Sequence, residues 1–242
     1  MTKYINSEWL KHKRTFYMKL IFIMPAVCIL TALFLMGTTY VQSAGYNWWY
    51  MLFLPFTFTF IGAEMIHREK RYSFHGMFTL VEDKKKLWYA KVATGTIVLI
   101  KTSAIFCILV LLCSLLGAQI DIISVIVATV LLILTFAWQI PFFMYFTLKS
   151  NMFLSVIVSV FCNFGFACFC SVNSFWWIPF AIPAKLMCFA IGVLPNGLAI
   201  PQEELLNNTE VIASTVGIGV GVGVIMYVVA TMFTAKLFVN QE

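Results

Sequence analysis

HREKRYSFHGMFTLVEDKKKLWYAK, residues 67–91, is the only long and strongly charged interval between hydrophobic stretches of this chain. It holds seven of the sixteen Lys and Arg residues: Arg68, Lys70, Arg71, Lys84, Lys85, Lys86 and Lys91. Between the two basic ends, residues 72–80 are mostly aromatic, apolar or small. A basic–apolar–basic block between two membrane spans belongs on the cytoplasmic side, where short loops are rich in Lys and Arg. Ser73 is suited to cap a short helix over 72–81. Phe74, Met77, Phe78 and Val81 then fall at i, i+3, i+4 and i+7 and make one apolar face. Such a face either rests on the bilayer surface or docks into a soluble partner.

Outward from this loop the chain is hydrophobic. Of its 242 residues 62% are apolar and 11% charged, where a soluble protein has roughly a quarter charged. The mean hydropathy is +0.93, and apolar runs of about 20 residues recur, the length that crosses a bilayer as a helix. The fold class is therefore all-α and polytopic, one transmembrane domain over 1–242. Six spans are expected at 20–40, 48–66, 96–118, 122–148, 152–172 and 211–233. No segment between them is long and polar enough to build a soluble core.

Residues 1–19 carry Lys3, Lys11, Lys13, Arg14 and Lys19, with Ile5, Trp9, Phe16 and Leu20 on one helical face. That pattern predicts an amphipathic helix on the inner leaflet, not a cleavable signal peptide. Residues 41–47, VQSAGYN, read as a short outer loop ahead of an aromatic belt at Trp48, Trp49 and Tyr50. Residues 173–210 are apolar enough to suggest a seventh span. Pro179, Pro183, Lys185 and the turn at Pro195-Asn196-Gly197 argue instead for two re-entrant helices on the outer face. Six spans place fourteen of the sixteen Lys and Arg inside, and leave Asp121, Glu203, Glu204 and Glu210 outside. Both termini are then cytoplasmic.

Several classes of function fall away. The net charge of +6 sits at the ends of spans and is no nucleic-acid signal. The seven cysteines lie in apolar sequence without a CxxC pair, so no metal site is expected. No G-x-x-x-x-G-K-[ST] is present, no catalytic triad or carboxylate pair is visible, and catalytic residues are expected to be none. Gly217, Gly219, Gly221 and Gly223 give GxxxG spacings suited to close helix packing. Ser155, Ser159 and Asn163 form a polar stripe at i, i+4 and i+8, suited to hydrogen bonding between helices or to a subunit interface or substrate path. Glu64 and Lys101 are the intramembrane charges, either a structural ion pair or part of a transport route. Trp176, Trp177 and Phe180 are candidate contacts for a substrate at the outer leaflet.

The whole layout resembles the permease subunits of ABC-2-type ABC exporters. Within the loop, Glu69-Lys70, residues 74–80, residues 82–86 and Lys91 follow the pattern such permeases often show, with Glu82-Asp83 where a Pro is usual. NSEWLKHKRTF, YNWWYMLFLP and LPNGLAIP resemble lantibiotic-immunity permeases of the MutE/EpiE type. The resemblance implies a separate ABC ATPase, in two copies, that holds the ATP and Mg; no cofactor is expected on this chain. It also implies a second related permease, a lantibiotic substrate and the plasma membrane of a Gram-positive bacterium. It turns the face of Phe74, Met77, Phe78 and Val81 into a coupling helix on the ATPase. The alternatives are an ABC-2 permease for another lipophilic substrate and a membrane-embedded enzyme.

Overall fold

The computed structural model describes residues 1–71, 83–171, 175–197, 200 and 209–240. Their regular structure is helical, with no strand among them. The helices are α1 (Thr2–His12), α2 (Leu20–Met36), α3 (Val41–Trp48), α4 (Leu54–Arg71), α5 (Lys84–Leu112), α6 (Ile122–Phe136), α7 (Gln139–Lys149), α8 (Met152–Cys170), α9 (Ile182–Ile191) and α10 (Thr209–Val239). Five helical stretches are long and apolar enough to cross a membrane, and a sixth arises if α6 and α7 count as one bent span. The expected coupling helix, Phe74, Met77, Phe78 and Val81, lies outside the described residues.

Two prolines shape the spans. Pro141 has no N–H, and its ring crowds the carbonyl four residues back, that of Ala137. The expected fourth span accordingly breaks between Phe136 and Gln139, and its halves differ in direction by 40°. Pro55 acts more gently. A π-helical turn, Trp49–Phe53, lies just before it and joins α3 to α4, so the ladder widens where the missing donor would have been. Helix therefore runs from Val41 to Arg71, and VQSAGYN is helical, a correction to the expected outer loop. The turn is made earlier, at Gly37, whose φ of 69° ends α2.

The N-terminal segment also differs from expectation. Helix α1 stops at His12, where the Thr15 hydroxyl and amide both donate to the His12 carbonyl. Phe16 and Leu20 belong to the next elements, so no single amphipathic helix covers 1–19. The side chains that α1 buries are Glu8 and His12, not an apolar stripe.

Contacts between elements give the bundle two ends. At the basic end, α1, the close of α4, the start of α5, the α7–α8 turn and the close of α10 come together. Trp88 stacks on Phe238 at 4.8 Å and donates from Nε1 to Thr234. Lys70 donates to the carbonyls of Leu148 and Ser150. At the far end, Tyr46 donates to the Val125 carbonyl, and Asn47 donates to that of Leu194. The short helix α9 packs there against α3, α6 and α10. One apolar helix of ten residues is thus described where two re-entrant helices were expected. Between the ends the core is aromatic, with Trp49 stacked on Phe106 at 4.4 Å.

Candidate functional site

The densest polar chemistry lies at the basic end, where residues 72–82 connect α4 to α5. Lys91, one full turn past the first turn of α5, is fully buried. Its ammonium contacts Glu8 Oε2 of α1 at 2.6 Å and Glu69 Oε1 of α4 at 2.5 Å. Lys11 adds a second cation, paired with Glu8 and 3.6 Å from Glu69. Two carboxylates and two ammonium groups from three helices thus close one cluster, and each charge has an opposite partner. This is the condition under which ions are tolerated away from water.

The cluster continues through contacts to neighbouring groups. His12 Nε2 is 3.8 Å from Glu8, and His12 Nδ1 shares a hydrogen bond with the Tyr17 hydroxyl. Arg68 lies over the Tyr17 ring at 5.5 Å and pairs with Glu64 at 3.5 Å. Burial alone would raise the Glu8 carboxyl, but His12, Lys91 and Lys11 outweigh it and hold it well below the usual carboxylate range. Burial would lower Lys11, yet Glu8 and then Glu69 raise it. Both groups therefore stay charged through neutral pH.

Glu64 and Lys101 do not pair, which corrects one reading of these two charges. Glu64 is taken by Arg68, one helical turn away on α4. Lys101 places its ammonium 3.9 Å from the ring centre of Trp9. Lys101 is ten residues deeper in α5 than Lys91, about 15 Å at the helical rise. Side chains on α5 lean towards its N-terminus, so Lys101 extends back towards the basic end and meets α1 there. Helix α1 is in this way held to α5 at two levels, by an ion cluster and by a cation–π contact.

In the membrane interior, the stripe of α8 meets neutral partners. Ser155 bonds Thr147, Ser159 bonds Thr59, and Asn163 exchanges two hydrogen bonds with Gln139 at 2.8 and 2.9 Å. All three stripe residues are buried. The four glycines of α10 divide. A Cβ on Gly219 would come within 3.0–3.3 Å of Ile182 and Leu186, and one on Gly223 within 2.8 Å of the Leu134 carbonyl. Gly217 and Gly221 have nothing within 4 Å. Among the described residues only the Gly219–Gly223 pair packs inside this chain.

At the far end, Phe180 is drawn into an aromatic group with Trp138 at 4.9 Å and Phe166 at 5.8 Å. Trp177 is 61% exposed, and Trp176 is half-buried. A cleft of about 710 Å³ opens there, lined among others by Met36, Tyr40, Asn47, Trp48, Phe164 and Cys168, with no charged side chain among the described residues.

Glu8, Glu69, Lys91 and His12 were missed as a unit by sequence reasoning, because they are spread over 83 positions. One signal was present: Glu8 is the only carboxylate in the first 63 residues, set among five basic ones. A lone acid in a basic segment is a candidate for a specific partner. Among the described residues no group of His, Cys, Asp and Glu could hold a metal ion.

No curated protein and no solved structure matches this chain significantly. The family described as ABC-2 family transporter protein matches residues 4–166, a stretch that runs from α1 through the ion cluster and the bent span into α8. With more than half of its length covered and its helices long enough to span a bilayer, the chain belongs to the ABC-2 family of membrane transporter proteins.

Proposed function

We propose that this chain is the permease subunit of an ATP-driven exporter that expels a lantibiotic or similar antimicrobial peptide from the cell membrane, giving self-immunity or resistance. A separate ABC ATPase, in two copies, binds ATP and Mg, and a second related permease completes the pore. The chain itself carries out no chemistry. Its basic end faces the cytoplasm of a Gram-positive cell, in keeping with the excess of Lys and Arg there.

The observation that carries the reading is the buried Glu8–Lys91–Glu69 cluster. It joins the end of α4 to the start of α5, the two points from which residues 72–82 emerge, and adds α1 to both. A push on that loop is then borne by three helices together instead of bending one. In this reading Phe74, Met77, Phe78 and Val81 dock on the ATPase and transmit its motion to the bundle. The peptide arrives through the bilayer and meets Trp176, Trp177 and Phe180 at the outer leaflet.

The test is copurification with the ATPase. Phe74→Ala with Phe78→Ala should release it and abolish peptide-stimulated ATP hydrolysis, while the permease remains in the membrane. Truncating a buried anchor costs about 2 kcal/mol or more, roughly thirtyfold in affinity. Replacing Lys84, Lys85 and Lys86 by Gln should do less. The opposite ranking would make the loop a membrane-surface element. A second reading, export of another lipophilic substrate, is favoured by the far-end cleft, whose described lining carries no charge. Trp176→Ala with Trp177→Ala separates the two: lowered peptide tolerance with the ATPase still bound supports the peptide.

A further inference from the structure

The basic end holds a second group of cations with different surroundings. His67, Lys70 and Arg71 stand at i, i+3 and i+4 on the last turns of α4 and line a pocket of about 430 Å³. Its other wall is Thr147, Ser150 and Asn151, at the α7–α8 turn. Among the described residues no carboxylate lines it. Glu64, deeper on the same helix, is paired with Arg68, and Glu69 is engaged by Lys91 on another side. The cations of the pocket are therefore not neutralised by the acids that balance the ion cluster.

The pocket has a built wall. Lys70 donates to the carbonyls of Leu148 and Ser150, both at 3.1 Å, which fixes the close of α7 against α4. The Asn151 side chain caps α8 through the Leu154 amide, so the turn itself is held. Arg71 and His67 are exposed at the lip. Arg, Lys and small polar groups around a concave space suit an anion with several oxygens, and phosphate is one that an Arg fork matches with two parallel hydrogen bonds.

Position selects the source of that phosphate. The pocket lies where spans end, and two residues beyond Asn151 the apolar surface begins. Phe153 is 77% exposed and Leu154 42% exposed on the first turn of α8. A phosphate in the pocket with acyl chains attached would place those chains beside this apolar surface. A free phosphate would gain nothing from it. Basic pockets between spans are known binding places for anionic headgroups. We propose that the pocket of His67, Lys70, Arg71, Ser150 and Asn151 binds the phosphate of an anionic membrane lipid, whose chains lie along the Phe153 side of α8.

The test uses the full chain in detergent micelles, without any partner, so it stands apart from the export reading. Phosphatidylglycerol, phosphatidylcholine and inorganic phosphate are titrated separately. Bound lipid is counted by native mass spectrometry and the melting midpoint is followed. Phosphatidylglycerol should be retained and should raise the midpoint, while the other two do neither. Arg71→Gln should weaken its retention about tenfold, the loss of one charge-assisted hydrogen bond. Arg71→Lys should keep most of the binding, and Arg14→Gln, a basic change elsewhere, should leave it unaltered. Because Arg71 is exposed, its variants should fold. Equal retention of both lipids, undiminished phosphatidylglycerol binding in Arg71→Gln, or the same shift from inorganic phosphate would overturn the proposal.

Discussion

The ion cluster at the basic end and the polar seam inside the membrane are both buried, and both join helices through side chains. They differ in what is left behind when one partner goes. In the cluster, Lys91 serves Glu8 and Glu69 at once, so its loss leaves two carboxylates with only the more exposed Lys11 as counter-ion. In the seam, Ser155–Thr147, Ser159–Thr59 and Asn163–Gln139 are separate neutral contacts, and each loss leaves a dipole. Ions make a joint that is strong only while complete; neutral contacts make one that weakens in small steps. The ionic joint lies beside the loop expected to meet the ATPase, and the neutral joint lies along the spans.

The largest effect expected from this contrast is that of Lys91→Met. Removing one partner of a buried ion pair costs about 3–5 kcal/mol, here reduced by the remaining Lys11, and is read as a lowered unfolding midpoint or lost folded yield in detergent. Adding Glu8→Gln and Glu69→Gln should recover part of the loss. Strictly additive losses would show that the three do not act together. The cluster also sets a pH dependence. Glu8 has a carboxyl held below its unfolded value, so its contribution is present above about pH 4.3, the ordinary glutamate value. It is lost as the pH falls from there towards the folded-state value. Melting midpoints followed into acid should therefore fall more steeply for the natural chain than for Glu8→Gln.

The next effect is steric and falls on one face of α10. Gly223→Leu must push α10 away from the Leu134 carbonyl, and overpacking of this kind costs about 1–3 kcal/mol. The seam should give less. Gln139→Leu removes both bonds to Asn163, and bonds between membrane helices average about 0.6 kcal/mol with a maximum near 1.7. A loss as large as that of Lys91→Met would break the distinction between the two joints. The smallest effect is expected at Gly221→Leu, below about 0.5 kcal/mol, since its Cβ meets nothing within 4 Å among the described residues. A large loss there in the assembled transporter, absent in the isolated chain, would mark that face of α10 as a subunit contact.

Hydropathy alone is enough to read an all-helical membrane protein with up to six spans, because each span must be apolar whatever it packs against. The seam was half legible in the same way. The spacing of Ser155, Ser159 and Asn163 puts them on one face, while their partners Thr147, Thr59 and Gln139 follow only from how α8 sits on α4 and α7. Pro141 stands plainly inside the expected fourth span, but whether a proline bends a helix or is absorbed depends on the turn before it. At Pro55 a π-turn absorbed it, and at Pro141 the chain broke.

Charge pairing was not legible. Local pattern marks Glu64 and Lys101 as the costly charges, since each stands in apolar sequence. The tertiary structure pairs Glu64 with a neighbour on its own helix and lays Lys101 against Trp9. It buries instead Glu8 and Lys91, which look like ordinary surface charges of basic segments. The reason is physical. Burial of a charge depends on which opposite charge stands within a few ångströms, and that distance is set by the packing of α1, α4 and α5 across 83 residues of chain. Sequence by itself determined that the chain is helical and which segments are apolar enough to span a membrane; only the packing of the helices decided which faces meet and which charges share a site.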